Sequence, residues 1–191
     1  MNGDIRFATV DDAAAIAAIY SPFCLNTSIS FEEVAPDAAE MARRIERILP
    51  RWPWLVFDDG GTVRGYAYAG PHNERAAYRW SVSVAVYVGD GARRQGVGRR
   101  LYETLFRLLV VQGYFKAFAG VTLPNPASER LHESVGFTPV GTYHGSGYKF
   151  GAWHDVRWYE RELQPERAAP PEPTAIGEVV GTNELREAIG M

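Results

Sequence analysis

Val82, Val84, Val86 and Val88 alternate with smaller or polar residues and then run through Gly89-Asp90-Gly91-Ala92-Arg93-Arg94-Gln95-Gly96 into a segment with Val97, Leu101, Leu105, Leu108 and Leu109 at helical spacing. A β-branched strand therefore turns straight into an amphipathic helix, which calls for a sheet with a helix packed on it. Such a helix start leaves its first N–H groups unpaired and carries partial positive charge, so it can hold an anion with backbone alone. Gly96 and Gly98 put no Cβ in the way of a ligand. Arg93, Arg94, Arg99 and Arg100 surround the same point with mobile positive charge. The alternative is a solvated basic turn at the head of an ordinary helix.

Two nucleotide-binding patterns fail on residues. A P-loop requires Lys and then Ser or Thr after its second Gly, where this chain has Arg99-Arg100. A dinucleotide fingerprint requires a third Gly where Leu101 stands. The net charge of −3 opposes general nucleic-acid binding, so the basic turn is a local feature. Cys24 is the single cysteine, which excludes internal disulfides and cysteine-based zinc sites. The four histidines show no metal-ligand spacing. No apolar run of about 18 residues could span a bilayer, and the first residues lack a signal-peptide pattern, so a cytoplasmic protein is expected.

At 191 residues, 46% of them apolar, the chain suits one domain with one good core. Residues 5–8 read as a strand. Thr9 and Asp12 have capping-box spacing before a helix expected to stop ahead of Pro22. Residues 23–35 read as an apolar loop, a lid or pocket wall, before a helix opened by Asp37 and Glu40 with Met41, Ile45, Ile48 and Leu49 on one face. Trp54 to Asp58 and Val63 to Ala69 form a hairpin around Asp59-Gly60-Gly61-Thr62. A long strand from Tyr78 to Val88, a helix over about 97–112, and a strand from Tyr114 to Thr122 follow. A short helix starts at Asn125-Pro126 and ends at Gly136, and two strands near 137–148 and 153–163 close the order. The result is an α/β (α+β) fold, a mixed and mostly antiparallel sheet with helices on both faces. From Gln164 prolines crowd the chain, so the expected division is a domain over 1–163 and a flexible Pro-rich tail over 164–191 that can dock a final short helix.

The pattern R-x-x-G-x-G from Arg93 to Gly98 after a V-Y-V strand resembles the coenzyme A pyrophosphate loop of the GCN5-related N-acetyltransferases. Within that superfamily, Trp54-Leu55-Val56, Gly65-Tyr66-Ala67-Tyr68-Ala69-Gly70-Pro71, Leu123-Pro124-Asn125, Leu131-His132-Glu133, Gly147-Tyr148-Lys149 and Trp153-His154-Asp155-Val156 are similar, in order, to the phosphinothricin N-acetyltransferases. The likeness runs from about residue 4 to about residue 163. It implies the acyl-CoA N-acyltransferase fold, acetyl-CoA as cosubstrate without a metal, and acetylation of the α-amino group of glutamate-like compounds such as phosphinothricin, methionine sulfoximine and arsinothricin. It also implies a homodimer.

By the same resemblance, Val86, Tyr87 and Val88 bind pantetheine through their main chain, and the N–H near Val86 holds the thioester oxygen. Arg93, Arg94, Gln95, Gly96, Val97, Gly98 and Arg99 hold the pyrophosphate, while Asn125, Ser128 and Leu131 contact the coenzyme. Arg75 clamps an acidic acceptor, a role for which a guanidinium is well shaped. Phe31, Tyr78 and Val82 wall the acceptor pocket. His132 stands where relatives often carry a Tyr beside the thiol sulfur and is the expected proton-transfer group. Ser83 departs from the pattern, because relatives usually place a carboxylate there as base and a serine at its ordinary pKa cannot replace it. His132, or Glu32 or Glu33 acting from the lid through water, then supplies the base. Cys24 lies outside the matched catalytic segments, so transfer is direct. Two other readings stay open: an acetyltransferase for another small amine, and a non-catalytic acetyl-CoA-binding sensor.

Overall fold

Trp54-Leu55-Val56-Phe57 shows why the sheet is covered on both sides, since all four side chains are buried but alternate residues belong to different cores. The computed structural model describes residues 3–179. Its elements are β1 (Asp4–Phe7), α1 (Ala13–Asn26), α2 (Ala38–Ile48), β2 (Trp54–Asp58), β3 (Val63–Pro71), β4 (Ser81–Val88), α3 (Val97–Val111), β5 (Lys116–Thr122), α4 (Pro126–Ser134), β6 (Thr138–Lys149), β7 (Ala152–Glu162) and α5 (Ile176–Val179). The strands form one sheet in the order β1-β2-β3-β4-β5-β7-β6, antiparallel at every junction except the parallel β4–β5. No helix among the described residues is long and apolar enough to cross a membrane.

On one face Leu55, Phe57, Ala67, Val82 and Val84 pack under Leu101, Leu105 and Leu108 of α3. Truncating a side chain as completely buried as Leu101 to Ala costs about 2–5 kcal/mol. On the other face Trp54, Val56 and Tyr66 meet Ile16, Tyr20 and Phe23 of α1 and Met41 and Ile45 of α2. Caps follow the sequence: Asp37 accepts from the Glu40 N–H at 2.7 Å, and the Thr9 N–H donates to the Asp12 carboxylate at 2.8 Å.

Two boundaries differ from expectation. Helix α1 passes through Pro22 and ends at Asn26. Ala18, whose carbonyl loses its partner to the proline, is exposed to water, while buried Phe23 and Cys24 hold the next turn in the core. The Thr27 hydroxyl then closes the helix by donating to the Phe23 carbonyl at 2.7 Å. Strand β4 begins at Ser81, because residues 76–78 form a single 3-10 turn. Of the tail expected over 164–191, residues 180–191 lie outside the described residues, and the part before them docks a short helix. The Trp80 indole N–H donates to the Pro171 carbonyl at 2.7 Å, the Thr174 N–H to the Gln112 carbonyl at 2.8 Å, and Ile176 and Val179 of α5 join the core under α3.

Strands β4 and β5 pair only at Ser81↔Lys116, Val82↔Ala117 and Ser83↔Phe118. Beyond that point β5 stays paired with β7 through Thr122, and β4 stays paired with β3 through Val88. The sheet is therefore split beyond Ser83, and the edge of β4 from Val84 to Val88 has no strand against it among the described residues.

Candidate active site

Gly96 caps α3 in a left-handed conformation, φ +80°, with open space where a Cβ would stand, so a glycine suits this position on backbone grounds. No side chain caps the helix, and its first internal hydrogen bond comes from the Arg100 N–H to the Gly96 carbonyl at 3.0 Å. The N–H groups of Val97, Gly98 and Arg99 thus face outward at the positive end of the helix dipole. Arg94 also has a positive φ of 60°, uncommon for a residue with a side chain, and its exposed guanidinium has no hydrogen-bond or ion-pair partner among the described residues. Gln95 folds back onto the Gly91 carbonyl at 2.8 Å and stiffens the turn.

The remaining loop residues serve it less directly than expected. Gly98 is buried, and a Cβ there would lie 3.1 Å from Leu131 and 3.6 Å from Val88, so it lets α3 approach α4 rather than leaving room for a ligand. The Val97 side chain lies in the core, and Leu131 packs against that core. Arg93 pairs with Asp90 at 2.8 Å. Arg99 donates to the Ser134 carbonyl at 2.6 Å. Arg100 turns away to the Gly3 carbonyl at 2.8 Å and the Phe57 ring, and so does not join the anion site.

The split between β4 and β5 opens beside this helix end. Val86, Tyr87 and Val88 present main-chain groups along its free edge, while the Tyr87 ring packs against Tyr20 at 4.8 Å on the opposite core. Asn125 caps α4 by accepting from the Ser128 N–H at 3.2 Å, with Pro126 in the first turn.

His132 has no access to the split as a free base. It is 4% exposed, its Nδ1 donates to the Ser128 carbonyl at 2.8 Å, and its Nε2 lies 3.0 Å from the Tyr102 hydroxyl. Because a carbonyl only accepts, Nδ1 carries the proton and Nε2 accepts from Tyr102. Phe137, Tyr102 and Tyr159 enclose the ring, and burial pushes its pKa down. Both nitrogens are thus hydrogen-bonded within the core, an arrangement that favours a structural role for His132 over the expected proton transfer. The alternative base Glu32 is equally committed: Arg44 holds it at 2.8 and 2.9 Å, Tyr20 donates to it at 2.9 Å, and Arg44 keeps its carboxyl below the usual range. Glu33 is exposed on the loop.

The face of the sheet bearing Ser83 carries a second group of side chains at the split. Ser83 Oγ lies 3.2 Å from Nδ1 of His72, just beyond the end of β3. The His72 ring stacks on Phe118 with 4.1 Å between centroids and meets Tyr78 and Trp158 edge-on at 6.0 Å. Tyr78 is 43% exposed, and the Arg75 guanidinium beyond it has no hydrogen-bond or ion-pair partner among the described residues. The Phe31 ring lies where a Cβ on Gly147 would stand, so the α1–α2 loop closes over the β6–β7 hairpin. Lys149 pins that loop, with its buried ammonium donating to the carbonyls of Cys24, Ser30 and Glu32 at 2.5, 2.6 and 2.8 Å. Val82 is misplaced by expectation: strand alternation turns it into the α3 core, fully buried and away from this pocket.

Sequence reasoning passed over His72, Phe118, Trp158 and the tethering role of Lys149. The signals were small: a histidine closing the Ala69-Gly70-Pro71 run, a Phe at alternation with Lys116, and a lysine in an otherwise aromatic hairpin.

The sequence profile of the acetyltransferase (GNAT) domain matches residues 5–158. The chain is 40% identical over 170 residues to a phosphinothricin N-acetyltransferase of Streptomyces viridochromogenes, covering 89% of this chain and 92% of the relative. It is 35% identical over 167 residues to an L-methionine sulfoximine/L-methionine sulfone acetyltransferase of Salmonella typhimurium, covering 87% and 97%. The crystal structure of a GNAT superfamily phosphinothricin acetyltransferase from Sinorhizobium meliloti in complex with acetyl-CoA superposes with a TM-score of 0.84 at 31% identity, over 92% of this chain and 99% of that one. With its split sheet, its uncapped α3 and these likenesses, the chain belongs to the GNAT family of N-acetyltransferases.

Proposed function

We propose that this N-acetyltransferase transfers the acetyl group of acetyl-CoA directly to the α-amino group of a glutamate-like acceptor of the phosphinothricin, methionine sulfoximine and arsinothricin class, a detoxifying reaction. The observation that carries this reading is the split after Ser83↔Phe118, together with an α3 N-terminus and an Arg75 guanidinium that have no side-chain partner among the described residues. On this reading the N–H groups of Val97, Gly98 and Arg99 hold the pyrophosphate, with Arg94 free to add charge. The free edge of β4 receives the pantetheine amides as a strand would, and the N–H near Val86 stabilises the oxygen that becomes negative during transfer. Arg75 binds the acceptor's acidic group, and Phe31 and Tyr78 enclose its stem. Cys24 is completely buried, which favours direct transfer over a thioester on the protein.

The proposal includes a homodimer. Tyr143, Tyr148, Phe150 and Trp153 of the β6–β7 hairpin are all at least 57% exposed, a concentration of aromatic surface suited to a second copy.

Release of coenzyme A thiol tests the reading against phosphinothricin, methionine sulfoximine, arsinothricin, glutamate and simple amines. Turnover confined to the glutamate analogues is expected. Tight acetyl-CoA binding without turnover on any acceptor would make the protein a sensor instead, and turnover on simple amines alone would move it to another substrate class.

A further inference from the structure

We propose that His72, oriented by Ser83, is the general base that deprotonates the acceptor amine. This rests on the acetyltransferase reading and supplies the group it lacks, because Ser83 stands where a carboxylate would serve, and His132 and Glu32 are both occupied.

The geometry points to His72 on three counts. Its ring stacks on Phe118, and Ser83↔Phe118 is the last β4–β5 pair before the sheet splits, so the imidazole sits at the mouth of the split. Its Nδ1 is within reach of Ser83 Oγ at 3.2 Å, while Nε2 has no hydrogen-bond partner among the described residues. When Nδ1–H donates to Ser83, the lone pair of Nε2 is left free, as a base requires. The groups touching the ring are Ser83 from β4, Tyr78 from the β3–β4 loop, Phe118 from β5 and Trp158 from β7. Tyr78 is the one among them with a titratable phenol, and none carries a formal charge at neutral pH. Burial accordingly pushes the His72 pKa down, which keeps the ring neutral and able to accept a proton.

The step balances as follows. The acceptor ammonium gives one proton to Nε2, directly or through one water, leaving an imidazolium and a neutral amine. The amine nitrogen forms a bond to the thioester carbonyl carbon, the C–S bond breaks, and the thiolate departs with the electron pair. The second nitrogen proton passes to the thiolate, and His72 returns its proton to solvent.

The test measures kcat/KM across pH for the wild type, His72→Phe and the double variant His72→Phe/Ser83→Glu, with thermal melting and acetyl-CoA binding measured alongside. Phenylalanine keeps the stack on Phe118 and removes the base. A fall of about 100-fold or more in kcat/KM is expected for His72→Phe at unchanged acetyl-CoA affinity, with the acid limb moving to higher pH. The loss should be much smaller for an acceptor whose amine is already neutral at assay pH, and Ser83→Glu should restore part of the rate. Wild-type turnover that survives intact in His72→Phe, or an equal loss with the neutral amine, overturns the assignment alone. No turnover by the wild type on any acceptor overturns the acetyltransferase reading and this assignment together.

Discussion

The Tyr102 hydroxyl donates to Nε2 of His132 at 3.0 Å inside the core, joining the middle of α3 to α4 behind the split in the sheet. Both residues are buried, and the Ser128 carbonyl on the far side of the imidazole fixes its tautomer. The pair ties α3 to α4 through the core.

A pH dependence of stability follows from this pair. Burial lowers the His132 pKa in the folded state, so the unfolded chain binds more protons once pH falls below the ordinary histidine value of about 6.5. Stability attributable to His132 is therefore complete above that value and is lost as pH falls from there through the lowered folded pKa. His132→Gln, which does not titrate, should flatten the acid side of a plot of Tm against pH while keeping activity within about tenfold of wild type, well short of the loss typical of a missing general acid or base. Loss of activity beyond about 100-fold with an unaltered Tm profile would return the base role to His132.

The two loop glycines should separate in calorimetric titration with acetyl-CoA. Gly96→Ala meets no atom but must hold φ +80°, at a cost of about 1–2 kcal/mol, and should weaken acetyl-CoA binding by about tenfold as the α3 N–H groups shift. Gly98→Ala presses on Leu131 and should cost about 1 kcal/mol of stability with a smaller effect on binding. The opposite ranking would mean that Gly98 faces the ligand.

Arg75→Ala should raise KM for acidic acceptors by about 10- to 100-fold, the weight of one charged hydrogen bond. Rates on an amine without an acidic group should stay as they are. A uniform fall across both acceptor types would remove Arg75 from the clamp.

Lys149→Met leaves two buried carbonyls and one part-buried carbonyl without their ammonium and should destabilise the protein by about 2 kcal/mol in denaturant unfolding. Amide exchange should speed most over residues 27–35, which Lys149 ties to β6. Unchanged exchange there would show that Phe31 packing alone holds the loop.

Trp153→Ser, at a position 69% exposed, should leave the monomer folded and shift the proposed dimer to monomer in analytical ultracentrifugation, with melting no longer dependent on protein concentration. A monomeric wild type would overturn the homodimer, and a variant that stays dimeric would move the interface away from the β6–β7 hairpin.

Local features were legible wherever the backbone itself sets the rule. The Gly96 turn, the Asp37 and Asn125 caps and the hairpin around Gly60-Gly61 come from short-range conformational preferences, and each stands at its expected place. The stop expected at Pro22 failed because core burial of Phe23 and Cys24 outweighed a local breaking preference. Val82 was assigned to the pocket by likeness although its alternation with Ser83 already sent it to the other face.

The sequence by itself determined the alternating strands, the helix faces, the glycine turn at the start of α3 and hence the family. These depend on residue spacing along the chain, which side-chain periodicity and backbone geometry read directly. Only the tertiary structure decided the chemistry of the site. The pairing of β3 with β4 brought His72 to Ser83, and the pairing of β4 with β5 put Phe118 beside Ser83 and against the His72 ring. The packing of α3 on α4 enclosed His132 between Tyr102 and Ser128. Whether a histidine is a free base or a buried strut depends on which groups reach its two nitrogens, and those groups come from segments distant in the chain.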